Sequence, residues 1–218
     1  MNAQKQSDGR RFITIEGIEG VGKSTNIAFI EQWLTDNGQT VVCTREPGGT
    51  PGAEAIRDLV LNTDRSQLGD QSELLLMFAA RAAHLENLIY PALNDDQWVI
   101  CDRFTDATYA YQGAGREFGF ESIAALESLV QGTFRPGLTL LLDGSFELSV
   151  KRRAERTETD RFEQEQLSFF ERVRNGYLRL ADENPQRIKV IDAGQSLESV
   201  QSDIAAVLTE YFAGQVQQ

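Results

Sequence analysis

Cysteine is scarce in this chain of 218 residues: only Cys43 and Cys101 occur. Each ends an apolar, strand-like run and neither has a companion at metal-ligand spacing, so a thiolate metal centre is excluded and both are expected as small core residues. Long apolar runs are missing as well. No stretch approaches the roughly 20 residues that a membrane-crossing helix needs, and the opening MNAQKQSDGRR lacks the apolar core of a signal peptide. Residues 1–10 are therefore read as a flexible, solvated tail, and the protein is expected in the cytoplasm with no membrane partner. Positive charge is short too, with 21 Lys and Arg against 33 Asp and Glu and a formal net charge of −12. Such a balance repels nucleic acid, so any phosphorylated ligand must be met by a local cluster of cations, and the arginines have to be read by position. Internal repeats, low-complexity linkers and an Asn-Lys-x-Asp guanine-recognition motif are all absent.

What is present is alternation. Strand-like runs lie at 11–16, 40–44, 98–102, 139–143 and 187–192, rich in β-branched and apolar residues and too continuous to be half-exposed. Helical patterns fill 24–37, 53–61, 71–94, 121–131, 146–156, 163–183 and 197–212. Gly38, Pro47 to Gly49, Pro136 to Gly137 and Pro185 punctuate them. The alternation predicts an α/β fold, three layers with a doubly wound, parallel, five-stranded sheet, and the length with 41% hydrophobic content suits a single domain over 11–218.

Between the first strand and the first helix stands GIEGVGKST, residues 17–25, which fits Gly-x-x-x-x-Gly-Lys-Ser in the strand-to-helix context that the motif needs. Backbone N–H groups from Gly20 to Thr25, at the positive end of a helix, would surround a nucleotide phosphate, with Gly17 and Val21 completing the loop. Lys23 adds a point charge between β- and γ-phosphates, and the Ser24 hydroxyl suits Mg²⁺. A strand-end carboxylate is expected to complete the metal's shell. Asp102 and Asp143 compete for that role. Asp102 is preferred because Arg103 beside it places a cation in a cleft at the strand ends, whereas the Asp143-Gly144 pair also reads as a plain strand exit.

Arg45, Arg81 and Arg103 flank strand or helix ends that would face the same cleft, and guanidinium groups match phosphate oxygens bidentately. Glu46-Pro47 makes a turn that fixes the direction of Arg45, with Glu46 a candidate structural partner for it. Phe78, three residues before Arg81, would share a helix face with it and offer a ring for stacking. Thr108 and Gln112, four apart, would present a hydroxyl and an amide to one ligand edge. Glu19 puts an anion inside the phosphate loop, where like charge is unfavourable unless compensated. KRRAERTETDRFEQE, 151–165, carries Arg156 and Arg161 in a run too polar for a core.

Taken in order, EGIEGVGKST, TREPGGTP, LLLMFAAR, CDRFTDATYAYQGAGR and DRFEQE resemble the bacterial thymidylate kinase family over about residues 11–212. The resemblance implies a P-loop NTPase fold of the nucleoside monophosphate kinase type, ATP and dTMP as substrates, Mg²⁺, and a homodimer. It further implies that Arg45, Arg81 and Arg103 hold dTMP, that Thr108 and Gln112 read the base, and that Tyr111 sits near the 2′ position of the sugar. Glu19 would reach the 3′-hydroxyl. In many relatives the aromatic lies four residues before the arginine, a register that points to Met77 here; Phe78 is retained. The segment 151–163 corresponds to the family's lid, and because the phosphate loop contains no basic residue besides Lys23, the lid would supply the catalytic cation, with Arg156 the first choice and Arg161 the second. KVIDAGQS, 189–196, would line the adenine.

Overall fold

Every residue of β1 (Phe12–Glu16) is buried, which demands a neighbouring strand on each edge and cover on both faces. The computed structural model, which describes residues 8–64, 66–146 and 167–215, provides both. β1 lies between β3 (Trp98–Asp102) and β4 (Leu138–Asp143); β2 (Val41–Arg45) pairs outside β3 and β5 (Ile188–Asp192) outside β4, all in parallel. The register sets Arg45 beside Asp102 and Ile15 beside Asp102, so that the phosphate loop, an arginine and a carboxylate leave the sheet at one edge. That carboxyl edge is where open α/β sheets bind ligands.

The expectation that all five strands are buried on both faces fails at the two outer ones. β2 and β5 each have one neighbour in the sheet; no residue of β2 is fully buried, and on β5 only Ile188 and Ile191 are. Cys43, expected in the core, is exposed on β2 for this reason, while Cys101 on inner strand β3 is buried.

The helices are α1 (Lys23–Asp36), α2 (Pro51–Asn62), α3 (Asp70–His84), α4 (Tyr90–Asn94), α5 (Thr105–Thr108), α6 (Phe120–Gln131), α7 (Leu167–Glu183) and α8 (Leu197–Gln215). The single helix expected over 71–94 is α3 and α4 joined by a π-helical turn, Leu85–Ile89. Pro91 follows it, with no N–H to continue an α-helical ladder. A second π-helical stretch, Tyr109–Gly115, extends α5 and packs along α7. The helix expected at 146–156, beyond Phe146, and the start of that expected at 163–183 fall outside the described residues.

Side-chain alternation along β1 divides the core. Ile13 and Ile15 pack into the larger cluster with Ile30, Leu34, Phe170 and Ile204, while Phe12 joins Val99, Cys101, Phe104 and Leu85 in the other. Thr14 and Thr139, paired by register, share a hydrogen bond of 2.7 Å between their hydroxyls, so neither buried polar group is left open.

Candidate active site

The chain leaves β1 through Gly17 at φ 128° and closes the loop through Gly20 at 78° and Gly22 at 98°, a left-handed route that side chains disfavour. At Gly17 a β-carbon would also run into the Leu142 carbonyl oxygen. Helix α1 then starts with no side-chain cap and no acidic residue in its first turn. Its first amides therefore open onto the cavity as an anion site. Lys23 is only 8% exposed; its Nζ donates to the Ile18 carbonyl at 3.3 Å and lies 3.9 Å from Asp102 Oδ1. Burial, with the Arg103 guanidinium nearby, pushes the ammonium down to about 8. A bound polyphosphate would reverse that pressure by supplying the missing counter-charge.

This loop forms one wall of an open cavity of about 190 Å³ at the sheet's carboxyl edge. Glu19, Gly20, Gly22, Lys23 and Ser24 line it, and Arg45, Arg81 and Arg103 line it with them. Gly17, Val21 and Thr25, expected around the phosphates, do not: Val21 is buried in the core, Thr25 is exposed, and Gly17 instead offers its carbonyl to Arg103.

Each arginine is held differently. Arg45 is half-exposed and donates from Nη2 to Glu54 Oε2 at 2.8 Å. Arg103 has φ 68°, a left-handed conformation costing about 1–3 kcal/mol for a side-chain-bearing residue, as found at functional sites. Its Nη1 donates to the Gly17 carbonyl at 2.8 Å and to the Tyr177 hydroxyl at 3.2 Å, and its guanidinium lies 4.8 Å from the centre of the Tyr111 ring. Arg81 is buried; Nε donates to Glu46 Oε2 at 2.8 Å and Nη2 to Thr108 Oγ1 at 2.9 Å. Glu46, expected as a partner for Arg45 beside it in the loop, pairs with Arg81 instead, while Arg45 is taken by Glu54.

Thr108, Tyr111 and Gln112 reach the cavity from α5 and the π-helical stretch after it. Gln112 Nε2 donates to the buried Glu73 Oε1 at 2.7 Å, which fixes the amide plane. Phe78 is a correction. Its ring packs with Leu74 and Ile123 and lies beneath the Arg81 guanidinium, 4.8 Å from centroid to carbon, away from the cavity wall. Met77 lines the cavity instead. One residue along an α-helix turns a side chain by about 100°, and the four-residue spacing from Arg81 is the one that faces inward.

The two competing strand-end carboxylates are separated by their partners. Asp143 is held bidentately by Arg174, at 2.6 and 2.7 Å, whereas Asp102 lines the cavity with Oδ1 buried and without a hydrogen bond. An orphan carboxylate oxygen on a residue that shares its cavity with Ser24 and an anion site belongs to a donor set that suits Mg²⁺, an ion that takes one or two protein oxygens and fills its shell with phosphate and water. Among the described residues no group of three or more His, Cys, Asp or Glu could hold a metal without such help.

Arg57 and Leu61 on α2 also line the cavity, and Arg57 Nη1 donates to the Pro47 carbonyl at 2.8 Å, tying the helix to the loop. A lone arginine on an amphipathic helix reads as solvated surface, so the sequence carried no signal for it. Glu16 at the end of β1 was equally silent. It accepts from the Phe104 N–H and the Tyr177 hydroxyl, both at 2.7 Å, and burial with the Asp106 carboxylate nearby pushes it up to about 8. Arg156, Arg161 and the segment 151–163 lie outside the described residues.

The family model described as thymidylate kinase matches residues 15–204. The chain is 58% identical over 206 residues to a thymidylate kinase of Chromohalobacter salexigens, covering 93% of this chain and 97% of that one. It is 54% identical over 201 residues to one of Teredinibacter turnerae, covering 92% and 98%, and 52% identical over 202 residues to one of Neisseria gonorrhoeae, covering 93% and 98%.

Proposed function

Because this chain belongs to the thymidylate kinase family, we propose that it transfers the γ-phosphoryl group of ATP to the 5′-phosphate of dTMP, giving dTDP and ADP. The observation that carries this reading is a single cavity bounded by the glycine loop with Lys23 and by Arg45, Arg81 and Arg103, an arrangement suited to two anionic ligands meeting end to end. No general base is required, since a phosphate monoester with a second pKa of about 6 is already an anionic nucleophile at neutral pH. The protein's task is alignment and neutralisation of charge.

In this reading the loop amides from Gly20 onward and Lys23 bind the ATP phosphates, and Arg103 spans toward the acceptor phosphate with Arg45. Arg81, Thr108 and Gln112 address the base against Met77. Glu19 accepts from the sugar 3′-hydroxyl, and Tyr111 crowds its 2′ position. Ser24 and Asp102 would hold Mg²⁺, which when bound offsets charge on the β- and γ-phosphate oxygens. The cytoplasm, where the nucleotide substrates are found, is the proposed compartment. Arg156, with Arg161 second, is proposed as the transition-state cation. Arg156→Ala should then lower kcat by about 10³-fold or more while dTMP affinity stays nearly intact; a dTMP Kd weakened with kcat preserved refutes that role.

A homodimer is supported by Leu59, Leu75 and Leu129, exposed at 48%, 50% and 80% on the neighbouring helices α2, α3 and α6. Sedimentation should give twice the chain mass, reduced to one chain mass by Leu129→Arg with Leu75→Arg; a monomer at micromolar concentration rules the dimer out. The function itself is tested by ADP release with dTMP, dUMP, CMP or thymidine as acceptor. Preference for dTMP is expected, and turnover that ignores dTMP but needs a protein or DNA partner would replace the kinase with a nucleotide-operated switch.

A further inference from the structure

We propose that Glu46 and His84 are positioning residues for the acceptor side of the reaction, forming a buried chain from Thr44 through His84 and Glu46 to Arg81 that sets the direction of one unspent Arg81 nitrogen. The inference rests on the kinase reading above and extends it to residues that lie outside the phosphate-binding set.

Arg81 is 2% exposed and flanked by the Phe78 and Phe104 rings, with its guanidinium carbon 4.8 and 5.0 Å from their centres. Two of its three nitrogens are engaged, Nε with Glu46 Oε2 and Nη2 with Thr108 Oγ1, at 2.8 and 2.9 Å. A planar guanidinium so held has no rotation left. Nη1 remains, buried and without a hydrogen-bond partner, on a residue that lines the cavity. Burying a charged donor in that state is unfavourable unless something arrives to accept from it. Its direction is therefore preset for an acceptor on the ligand.

Glu46 is fixed in turn. Its Oε1 lies 3.0 Å from His84 Nδ1, and His84 Nε2 lies 2.7 Å from Thr44 Oγ1. A carboxylate can only accept, so Nδ1 carries the hydrogen, and the Thr44 hydroxyl pins the far side of the ring at Nε2. His84 is fully buried, and the loop closes over the pair: Gly49, at φ 85°, has no room for a β-carbon, which would strike Thr44 Oγ1 and His84 Nε2. Strand β2, the loop after it and helix α3 are thereby locked around one carboxylate, and the locked carboxylate aims Arg81. A charge alone would have needed no histidine.

Steady-state kinetics on Glu46→Gln and His84→Gln in the full chain test this. Loss of a charged, buried hydrogen bond should raise KM for dTMP by about 10- to 100-fold, with KM for ATP unchanged. Adding Glu46→Gln to Arg81→Lys should change KM for dTMP no further, because the first substitution acts only through the second residue. The chain has one histidine, so nitrogen NMR of labelled imidazole gives one spin system, expected with hydrogen on Nδ1 and altered in Glu46→Gln. Equal effects on both KM values, additive effects with Arg81→Lys, or an Nδ1 without hydrogen in the unaltered protein would overturn the proposal. The last readout decides even if a variant fails to fold. An unaltered chain that does not phosphorylate dTMP would instead overturn the reading beneath it, whereas normal dTMP turnover with an unmoved KM in Glu46→Gln defeats this inference alone.

Discussion

A carboxylate oxygen held out of water with no donor is unfavourable, and Asp102 Oδ1 stands in that position, 3.9 Å from an ammonium that is itself nearly buried. Fold stability does not require such an arrangement; a cation shell arriving with nucleotide does. Asp102→Asn should therefore raise the Mg²⁺ concentration for half-maximal activity by about 10- to 100-fold while leaving the melting temperature level or higher. A magnesium titration at saturating ATP and dTMP, run beside thermal melts, checks both halves; an unmoved Mg²⁺ dependence removes Asp102 from the metal's shell. Residue types were legible from sequence wherever a backbone motif fixes them, as with Gly20, Gly22, Lys23 and Ser24, because the loop's geometry is written into its glycines. Partners were not. That Asp143 is taken by Arg174, and that Met77 rather than Phe78 faces the cavity, depends on side-chain directions on α7 and α3 that spacing leaves ambiguous by a single residue.

Elements came through in proportion to how much their own pattern constrains them. All five strands lie within one residue of their apolar runs, since burial on both sides leaves no polar position to blur the ends of the inner three. The exposure of β2 and β5 is not legible in their own residues because strand order is a property of the sheet. The π-helical stretch Tyr109–Gly115 was also hidden, although it carries Tyr111 and Gln112 into the cavity. Its place is set by a close crossing with α7. At Gly176 a β-carbon would come within 2.7 Å of Ala114 Cβ and 3.2 Å of Ala110 Cα, so the two elements pack as near as glycine permits. Gly176→Ala should force them apart at a cost of about 1–3 kcal/mol. Because neighbouring Tyr177 accepts from Arg103 at 3.2 Å, kcat should fall together with stability. Denaturant midpoints and turnover measured on the same variant test the coupling, and a variant that loses stability but keeps full kcat would uncouple this crossing from the arginine.

At the level of the whole molecule, the sheet, the cavity and α7 meet at one buried carboxyl. Glu16 ends β1, accepts from the backbone N–H of Phe104 just beyond β3, and accepts from Tyr177 on α7, each at 2.7 Å. Nearby, Asp106 is clasped by Arg187 at 2.6 and 2.9 Å, which keeps a second carboxylate under the same roof. Burial and then Asp106 push Glu16 from the ordinary 4.5 up to about 8, against the pull of Arg103, Tyr177 and the Phe104 amide. The sign of the consequence follows from proton counts. Between those two values the unfolded chain has released this proton and the folded chain keeps it, so Glu16's contribution is complete below about 4.5 and is lost as pH rises through about 8. The slope is at most about 1.4 kcal/mol per pH unit. Glu16→Gln removes the titration and keeps the shape. Urea unfolding of both proteins between about pH 5 and about pH 9 should show the stability of the unaltered chain declining relative to the variant as pH rises. A difference that stays constant across the range would mean that Glu16 is ionised in the fold throughout, held so by its two donors and Arg103.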